Sequence, residues 1–189
     1  MAAKFWFPLE SNPAVMNTFI EKMGVDISKF SFQDVFSTED WALEMVNRPV
    51  VGVVMLFPIK ESTEEFSEKQ REKIDAEGQI VSENVYFMKQ TVGNACGTIG
   101  ILHCIGNARP EIAIKPDSYL ERFFQSTETL EPDGIADYLE NDTEIEESHE
   151  AAAAEGQSEQ IDGDIDTHFI CFSHVNGHLY ELGTFVNFL

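Results

Sequence analysis

Basic residues are scarce in this sequence. Lys and Arg together number 12 against 34 Asp and Glu, which gives a formal net charge of -22. Such a surface repels nucleic-acid phosphates and anionic lipid headgroups, so we expect neither nucleic acid nor a membrane as a partner. A basic protein surface would instead be attracted and steered. The acidity could equally serve solubility alone, and composition leaves both explanations open.

Cysteine is also scarce, and long apolar runs are absent. Cys96, Cys104 and Cys171 are odd in number and form no Cys-x-x-Cys motif, which argues against a disulfide framework and against a structural zinc site. We therefore expect no metal and no cofactor, and a reducing cytoplasmic location. No apolar run approaches the ~18 residues of a membrane span, and residues 1–6 lack the apolar stretch of a signal peptide.

The length and apolar content predict one folded unit. The 189 residues are 43% hydrophobic and include 15 Phe, enough to build a core. We expect a single domain over residues 1–189, present as a monomer. Hydrophobic spacing and turn residues predict helices over 13–23, 38–46, 62–76, 96–105, 116–125 and 132–140, and strands over 32–35, 50–57, 167–175 and 178–188.

Several local patterns sharpen these predictions. Asn12-Pro13 and Gly24 are typical of the two ends of the first helix. The run VVGVVMLF at 50–57 is apolar on both faces, which predicts a central strand covered on both sides. Ser62 and Glu65 predict a capping box. The order of elements indicates an α+β domain.

Residues 141–166 differ from the rest of the chain. Their first part is rich in Glu and Ala and can be helical, whereas 155–166 is polar and predicts a flexible loop. A long loop within a compact domain is often functional. An inert linker would have the same composition, and both interpretations stay open.

Cys96 has the strongest potential for chemistry. It lies where the chain enters a helix, and the positive end of the helix dipole lowers the pKa of a thiol there. Gly97 leaves room for a substrate backbone. Gln90, six residues earlier, carries an amide that could donate to an oxyanion or could be an ordinary loop residue. A structural core cysteine remains the alternative for Cys96, and it suits Cys104 and Cys171 well.

A cysteine nucleophile needs a base within hydrogen-bonding reach. Of the five histidines, His168 begins a strand just after the flexible loop, and its position favours it as the base. His103 shares the buried helix and suits the core. We expect His149 to be exposed in the acidic region, and His174 and His178 to be solvated beside the hairpin turn.

The segment VYFMKQTVGNACGTIG at 85–100 resembles the nucleophile segment of the ubiquitin C-terminal hydrolases, a family of cysteine peptidases. The match extends over about residues 5–182 and is closest to the short isozymes. It includes three other stretches: FPLESNP at 7–13, DYLEN at 137–141 with EGQ at 155–157, and the hairpin segments HFI at 168–170 and VNGHLYEL at 175–182.

The resemblance implies a papain-like α/β/α fold in which helices flank a central antiparallel sheet. It makes Cys96 the nucleophile, His168 the general acid/base and Gln90 the oxyanion donor of a hydrolase acting at the C-terminal glycine of ubiquitin or a related modifier. It also implies an active-site crossover loop over about 149–166. The residues that it implies contact ubiquitin are Pro8, Leu9, Glu10, Ser11, Asn12, Pro13, Ala153, Ala154, Glu155, Gly156, Gln157, Ser158 and Glu159.

The sequence departs from the family after Leu182. The family's third catalytic group, an Asp, would fall at Gly183, and we expect the family's C-terminal strand and helix to be missing. A turn at 176–177 would pair residue 175 with 178 and residue 168 with 185, and it would place 183 diagonally beside His168 on one face. The alternative function is therefore a truncated isoform that binds ubiquitin but is catalytically impaired or unstable.

Overall fold

The computed structural model describes residues 4–157 and 166–183, which form an α+β arrangement. The elements in those ranges are α1 (Pro13–Met23), α2 (Asp40–Leu43), β1 (Gly52–Pro58), α3 (Glu61–Glu77), α4 (Cys96–Ala108), α5 (Tyr119–Thr127), α6 (Pro132–Glu140), α7 (Thr143–Glu155), β2 (Thr167–Val175) and β3 (His178–Leu182).

The described strands form one antiparallel sheet in the order β1-β2-β3. Among the described strands, β1 therefore lies at an edge of the sheet, and the prediction of a central strand covered on both sides is wrong. Its Val53 and Met55 side chains are 43% and 40% exposed. A run of β-branched apolar residues predicts a β-strand, but it does not specify which strands or helices will pack against it.

The hairpin between β2 and β3 confirms the predicted turn and register. Asn176 and Gly177 have φ angles of 51° and 84°, as a two-residue turn with two left-handed positions requires. Val175 pairs with His178, and the ladder continues to Cys171 opposite Leu182. The predicted pairing of residues 168 and 185 lies outside the described residues, as does the end of the predicted return strand.

Helix α4 is the centre of the core. All of its residues except Asn107 are buried, which confirms the helix predicted from the apolar residues on all its sides and extends it to Ala108. It packs on β2 through small residues. A Cβ atom at Gly97 would lie 3.2 Å from the Phe169 ring, and one at Gly100 would lie 3.8 Å from the Phe169 Cβ.

Side-chain caps define the starts of α1 and α5. Asn12 accepts a hydrogen bond from the Ala14 backbone N–H at 2.9 Å, which confirms the predicted start of α1. Helix α6 matches its prediction. Helix α5 begins three residues later than predicted, because the Ser118 hydroxyl caps it by accepting from the Glu121 N–H at 3.4 Å.

The least accurate predictions concern residues 32–77. Residues 32–35 form no strand, and the helix predicted over 38–46 is limited to α2, where Trp41 is 60% exposed. The Lys60 N–H donates to the Thr63 hydroxyl at 2.9 Å at the start of α3, so the capping box predicted at Ser62 and Glu65 is wrong. Most side chains in these segments are exposed, so packing against the core does not enforce the elements that local patterns favour.

None of the helices in residues 4–157 and 166–183 is both long and apolar enough to cross a bilayer.

Substitutions at two glycines of α4 test the packing of this helix, because they should change the free energy of unfolding in opposite directions. A Cβ at Gly106 would overlap the buried Tyr86 ring, so Gly106→Ala should destabilise the protein by about 1–3 kcal/mol. A Cβ at Gly100 would meet Val54 at an ordinary 3.6 Å, so Gly100→Ala should stabilise it by about 0.5–1 kcal/mol. Urea unfolding measures both changes, and equal effects for the two variants would contradict the packing described.

Candidate active site

The thiol of Cys96 begins α4 and lies against strand β2. It is 5% exposed and is hydrogen-bonded by the backbone N–H of Phe169, the residue that follows His168. The N–H groups of Gly97 and of Cys96 itself also favour the thiolate, as expected at a helix start. Burial outweighs them and raises the pKa of the Cys96 thiol, so the expected net lowering is wrong.

His168 occupies the next position along β2 from Phe169. It is 4% exposed, and its ring meets the Phe57 ring edge-on, with centroids 6.1 Å apart. Phe57 is also its partner residue on β1. Burial lowers the pKa of His168 to about 4, so the imidazole is neutral at pH 7. The fold thus brings the predicted nucleophile to the strand that carries the predicted base.

The loop before Cys96 carries the predicted oxyanion donor. Gln90 is half-buried, and its Nε2 donates to the Val92 carbonyl at 3.1 Å. Asn94 adopts a left-handed φ of 59°, and its Nδ2 donates to the Trp6 carbonyl at 3.1 Å. These bonds fix the turn that directs the chain into α4.

Two segments predicted to contact ubiquitin meet at Glu10. Its carboxylate accepts hydrogen bonds from the Asn12 side-chain amide at 2.9 Å and from the Gln157 backbone N–H at 2.7 Å. The segment 8–13 is therefore tied to residues 156–157, which follow α7. The Glu10 carboxylate therefore connects the N-terminal segment to the part of the predicted crossover loop that follows α7.

The predicted ubiquitin contacts differ in exposure. The side chains of Leu9 and Ala153 are buried, so they support neighbouring residues and offer no surface of their own. Helix α7 extends to Glu155, so the described non-helical part of the predicted crossover loop begins at Gly156. Ser158, Glu159 and the rest of the loop up to residue 165 lie outside the described residues.

Three of the other histidines lie where the sequence predicts. His174 and His178 are exposed, and His103 is buried in the core, where its Nε2 lies 3.1 Å from the Met88 backbone N. His149, however, is fully buried, so its predicted exposure is wrong. It belongs to a buried stripe on α7 with Ile145 and Ala152, at helical spacing, and that spacing could have revealed it.

His149 joins two parts of the site. Its Nδ1 lies 2.7 Å from the hydroxyl of Thr98, two residues after Cys96. Its Nε2 is hydrogen-bonded to the carbonyl of Phe7, just before the segment 8–13. Burial lowers the pKa of His149 to about 4. Sequence reasoning missed this residue.

Gly183 follows β3 at the position diagonal to His168. Residue 183 is next in the register after Leu182, which pairs with Cys171, so it lies opposite Ile170. A Cβ atom at Gly183 would overlap the Ile170 side chain. A larger residue here requires Ile170 or the backbone to move.

The remaining cysteines belong to the core, as predicted. Cys104 and Cys171 are buried, and the Cys171 Sγ lies 3.3 Å from the Ser173 hydroxyl. Across residues 4–157 and 166–183, no three His, Cys, Asp or Glu side chains converge in an arrangement able to hold a metal ion.

Comparison with known proteins supports the resemblance. The family model for "Ubiquitin carboxyl-terminal hydrolase, family 1" matches residues 6–186. Ubiquitin carboxyl-terminal hydrolase 3 of Arabidopsis thaliana is 46% identical over 96% of this chain and 76% of its own length. The human isozyme L1 is 39% identical over 93% of this chain and 77% of its own length.

A solved structure supports the fold alone. The catalytic domain of Trichinella spiralis UCH37, crystallised bound to ubiquitin vinyl methyl ester, aligns with a TM-score of 0.63 at 21% identity. The alignment covers 97% of this chain and 76% of that one. The family model and the curated relatives lead to one assignment: this chain belongs to family 1 of the ubiquitin carboxyl-terminal hydrolases, the thiol proteases of the ubiquitin pathway.

Proposed function

We propose that this chain hydrolyses adducts at the C-terminal glycine of ubiquitin through an acyl-enzyme on Cys96. The observation that carries the proposal is the Cys96 thiol held at the start of α4 against the backbone N–H of Phe169, the neighbour of His168. Family membership supports the choice of ubiquitin as substrate. The Trichinella spiralis UCH37 structure, with ubiquitin vinyl methyl ester bound, is consistent with it.

The proposed reaction is acyl transfer in two steps. The Cys96 sulfur attacks the glycine carbonyl carbon while His168 accepts the thiol proton. His168 then protonates the leaving amine or thiol, and the acyl group remains on Cys96. Water, deprotonated by His168, attacks the thioester and releases ubiquitin with a free carboxylate.

The electrostatics favour a neutral resting pair. Burial raises the pKa of Cys96 and lowers that of His168 to about 4, so at pH 7 the thiol is protonated and the imidazole is neutral. The proton therefore moves during attack, and His168 acts as a true general base.

Gln90 is the proposed side-chain donor to the oxyanion. One of its two amide hydrogens is used by the Val92 carbonyl, and the second is available for the negative oxygen of the tetrahedral intermediate. The backbone N–H of Cys96, at the uncapped start of α4, is a second donor in this arrangement.

The second candidate function is ubiquitin binding with impaired turnover. Gly183 has no side chain at the position where the resemblance implies an orienting Asp. Without that carboxylate, His168 would lack the side chain that the resemblance implies orients its ring for acid–base chemistry. Ubiquitin binding would remain, because the Glu10 link between segment 8–13 and Gln157 does not involve residue 183.

Substitution of the nucleophile separates chemistry from binding. Cys96→Ala should abolish cleavage of a ubiquitin–fluorophore amide while calorimetry still detects ubiquitin binding, since only the attacking sulfur is removed. Cys104→Ala, on the same helix and equally buried, is the matched control and should retain turnover. Turnover that persists in Cys96→Ala would refute the proposal.

The pH dependence of alkylation tests the neutral pair. Reaction of Cys96 with iodoacetamide, without ubiquitin, should rise about tenfold per pH unit to beyond about pH 9, because below the raised pKa only a small fraction is thiolate. His168, with a pKa of about 4, supplies no positive charge in that range. A rate plateau between about pH 6 and 8 would instead reveal a thiolate–imidazolium pair.

Restoring a carboxylate tests the impaired-catalysis alternative. Gly183→Asp alone would clash with the Cγ2 of Ile170, so it is combined with Ile170→Leu, which removes that methyl at similar volume. Its matched control, Gly183→Ala with Ile170→Leu, has the same Cβ but no carboxylate. An orienting Asp contributes about 10⁴ to kcat in a serine triad and a thiol needs less help, so we expect a gain of about tenfold or more over the control. Equal kcat values for the two double variants would show that the missing carboxylate does not limit turnover.

A further inference from the structure

Residues 4–7 lie along the loop that leads into Cys96. The Gly93 N–H donates to the Lys4 carbonyl at 2.8 Å, and the Trp6 N–H donates to the Gly93 carbonyl at 2.9 Å. The Asn94 side chain then donates to the Trp6 carbonyl at 3.1 Å. Three hydrogen bonds therefore fix this segment relative to the nucleophile loop.

Helix α7 holds the other side of the same segment. Glu146 forms an ion pair with the Lys4 ammonium at 2.8 Å and accepts from the Trp6 indole N–H at 3.3 Å. One turn later, His149 is hydrogen-bonded to the Phe7 carbonyl and packs its ring against that of Trp6, with centroids 4.5 Å apart. The N-terminal segment thus connects α7 to the nucleophile loop.

His149 adds a direct connection from α7 to α4. Its Nδ1 lies 2.7 Å from the Thr98 hydroxyl, and both side chains are fully buried. The Phe7 carbonyl can only accept, so the imidazole proton is on Nε2. Nδ1 is then an acceptor for the Thr98 O–H. The ring donates at one end and accepts at the other.

We propose that His149 is a positioning residue. It connects α7 both to the first turn of the Cys96 helix and to the carbonyl group that precedes segment 8–13. It thereby fixes the position of the nucleophile relative to the segment proposed to face ubiquitin. The link to Thr98 holds the turn that presents Cys96. The link to Phe7 holds the chain that enters Pro8. The consequence for ubiquitin turnover rests on the proposed function, whereas the two links do not.

Four variants separate the links. His149→Gln places an amide nitrogen near the Nε2 position, so it retains the Phe7 bond and loses the Thr98 bond. His149→Asn places its amide near Nδ1, so it retains the Thr98 bond and loses the Phe7 bond. Thr98→Val removes the hydroxyl at constant shape, and Thr98→Ser retains it as the matched control.

The first readout needs no ubiquitin. Each variant is treated with iodoacetamide, and alkylation is measured separately at Cys96, Cys104 and Cys171 by mass spectrometry. His149→Gln and Thr98→Val should raise the Cys96 rate by about three- to tenfold, the equivalent of one lost hydrogen bond, and leave the other two cysteines unchanged. His149→Asn and Thr98→Ser should resemble the original chain at all three.

The core residues Cys104 and Cys171 serve as internal controls for general loss of structure. A rise at Cys104 and Cys171 together with Cys96 would mean general loss of structure, and His149 would then be an ordinary core residue. An unchanged Cys96 rate in both His149→Gln and Thr98→Val would also overturn the proposal. If the histidine variants fail to fold, Thr98→Val against Thr98→Ser decides alone.

The second readout is steady-state cleavage of a ubiquitin–fluorophore amide. His149→Gln should lower kcat with little change in KM, and His149→Asn should raise KM with little change in kcat, by about three- to tenfold each. An equal change of both constants in both variants would contradict separate roles for the two links. If the original chain neither binds nor cleaves ubiquitin, the proposed function fails while the alkylation pattern still tests the link to Thr98.

Discussion

The close approach of α4 to β2 is the contact on which the rest of the site depends. Gly97 and Gly100 let the Phe169 side chain lie directly on the helix, because a larger residue at Gly97 would press on the ring at 3.2 Å. The helix can then begin beside the strand, and the Phe169 backbone N–H reaches the Cys96 thiol. The same strand carries His168 one residue earlier, so a single packing contact places both groups of the proposed reaction.

Burial has an electrostatic cost at this site. The packing that orders Cys96, His168 and His149 also removes water from them, which raises the pKa of the thiol and lowers that of each imidazole to about 4. All three are neutral at pH 7. For His149 neutrality is useful, because only a neutral ring accepts from Thr98 while it donates to Phe7. For Cys96 and His168 it means that the thiol proton must move during the proposed reaction.

The sequence predicted what short-range patterns determine. The Asn176-Gly177 turn, the strand that carries His168 and the helix from Cys96 are encoded by adjacent residues. Contacts between distant segments could not be inferred in this way. His149 was expected to be exposed because its neighbours are acidic, yet its partner Phe7 is 142 residues away. The edge position of β1 likewise depends on which strands pair, and the residues of β1 do not encode that.

The most direct test of the central claim is reaction with ubiquitin vinyl methyl ester, with the modified residue located by peptide mass spectrometry. The account predicts a single covalent adduct on Cys96, because this thiol lies at the start of α4 beside the strand of His168, whereas Cys104 and Cys171 are enclosed in the core. No adduct, or an adduct on either core cysteine, would contradict the assignment of Cys96 as a nucleophile directed at ubiquitin.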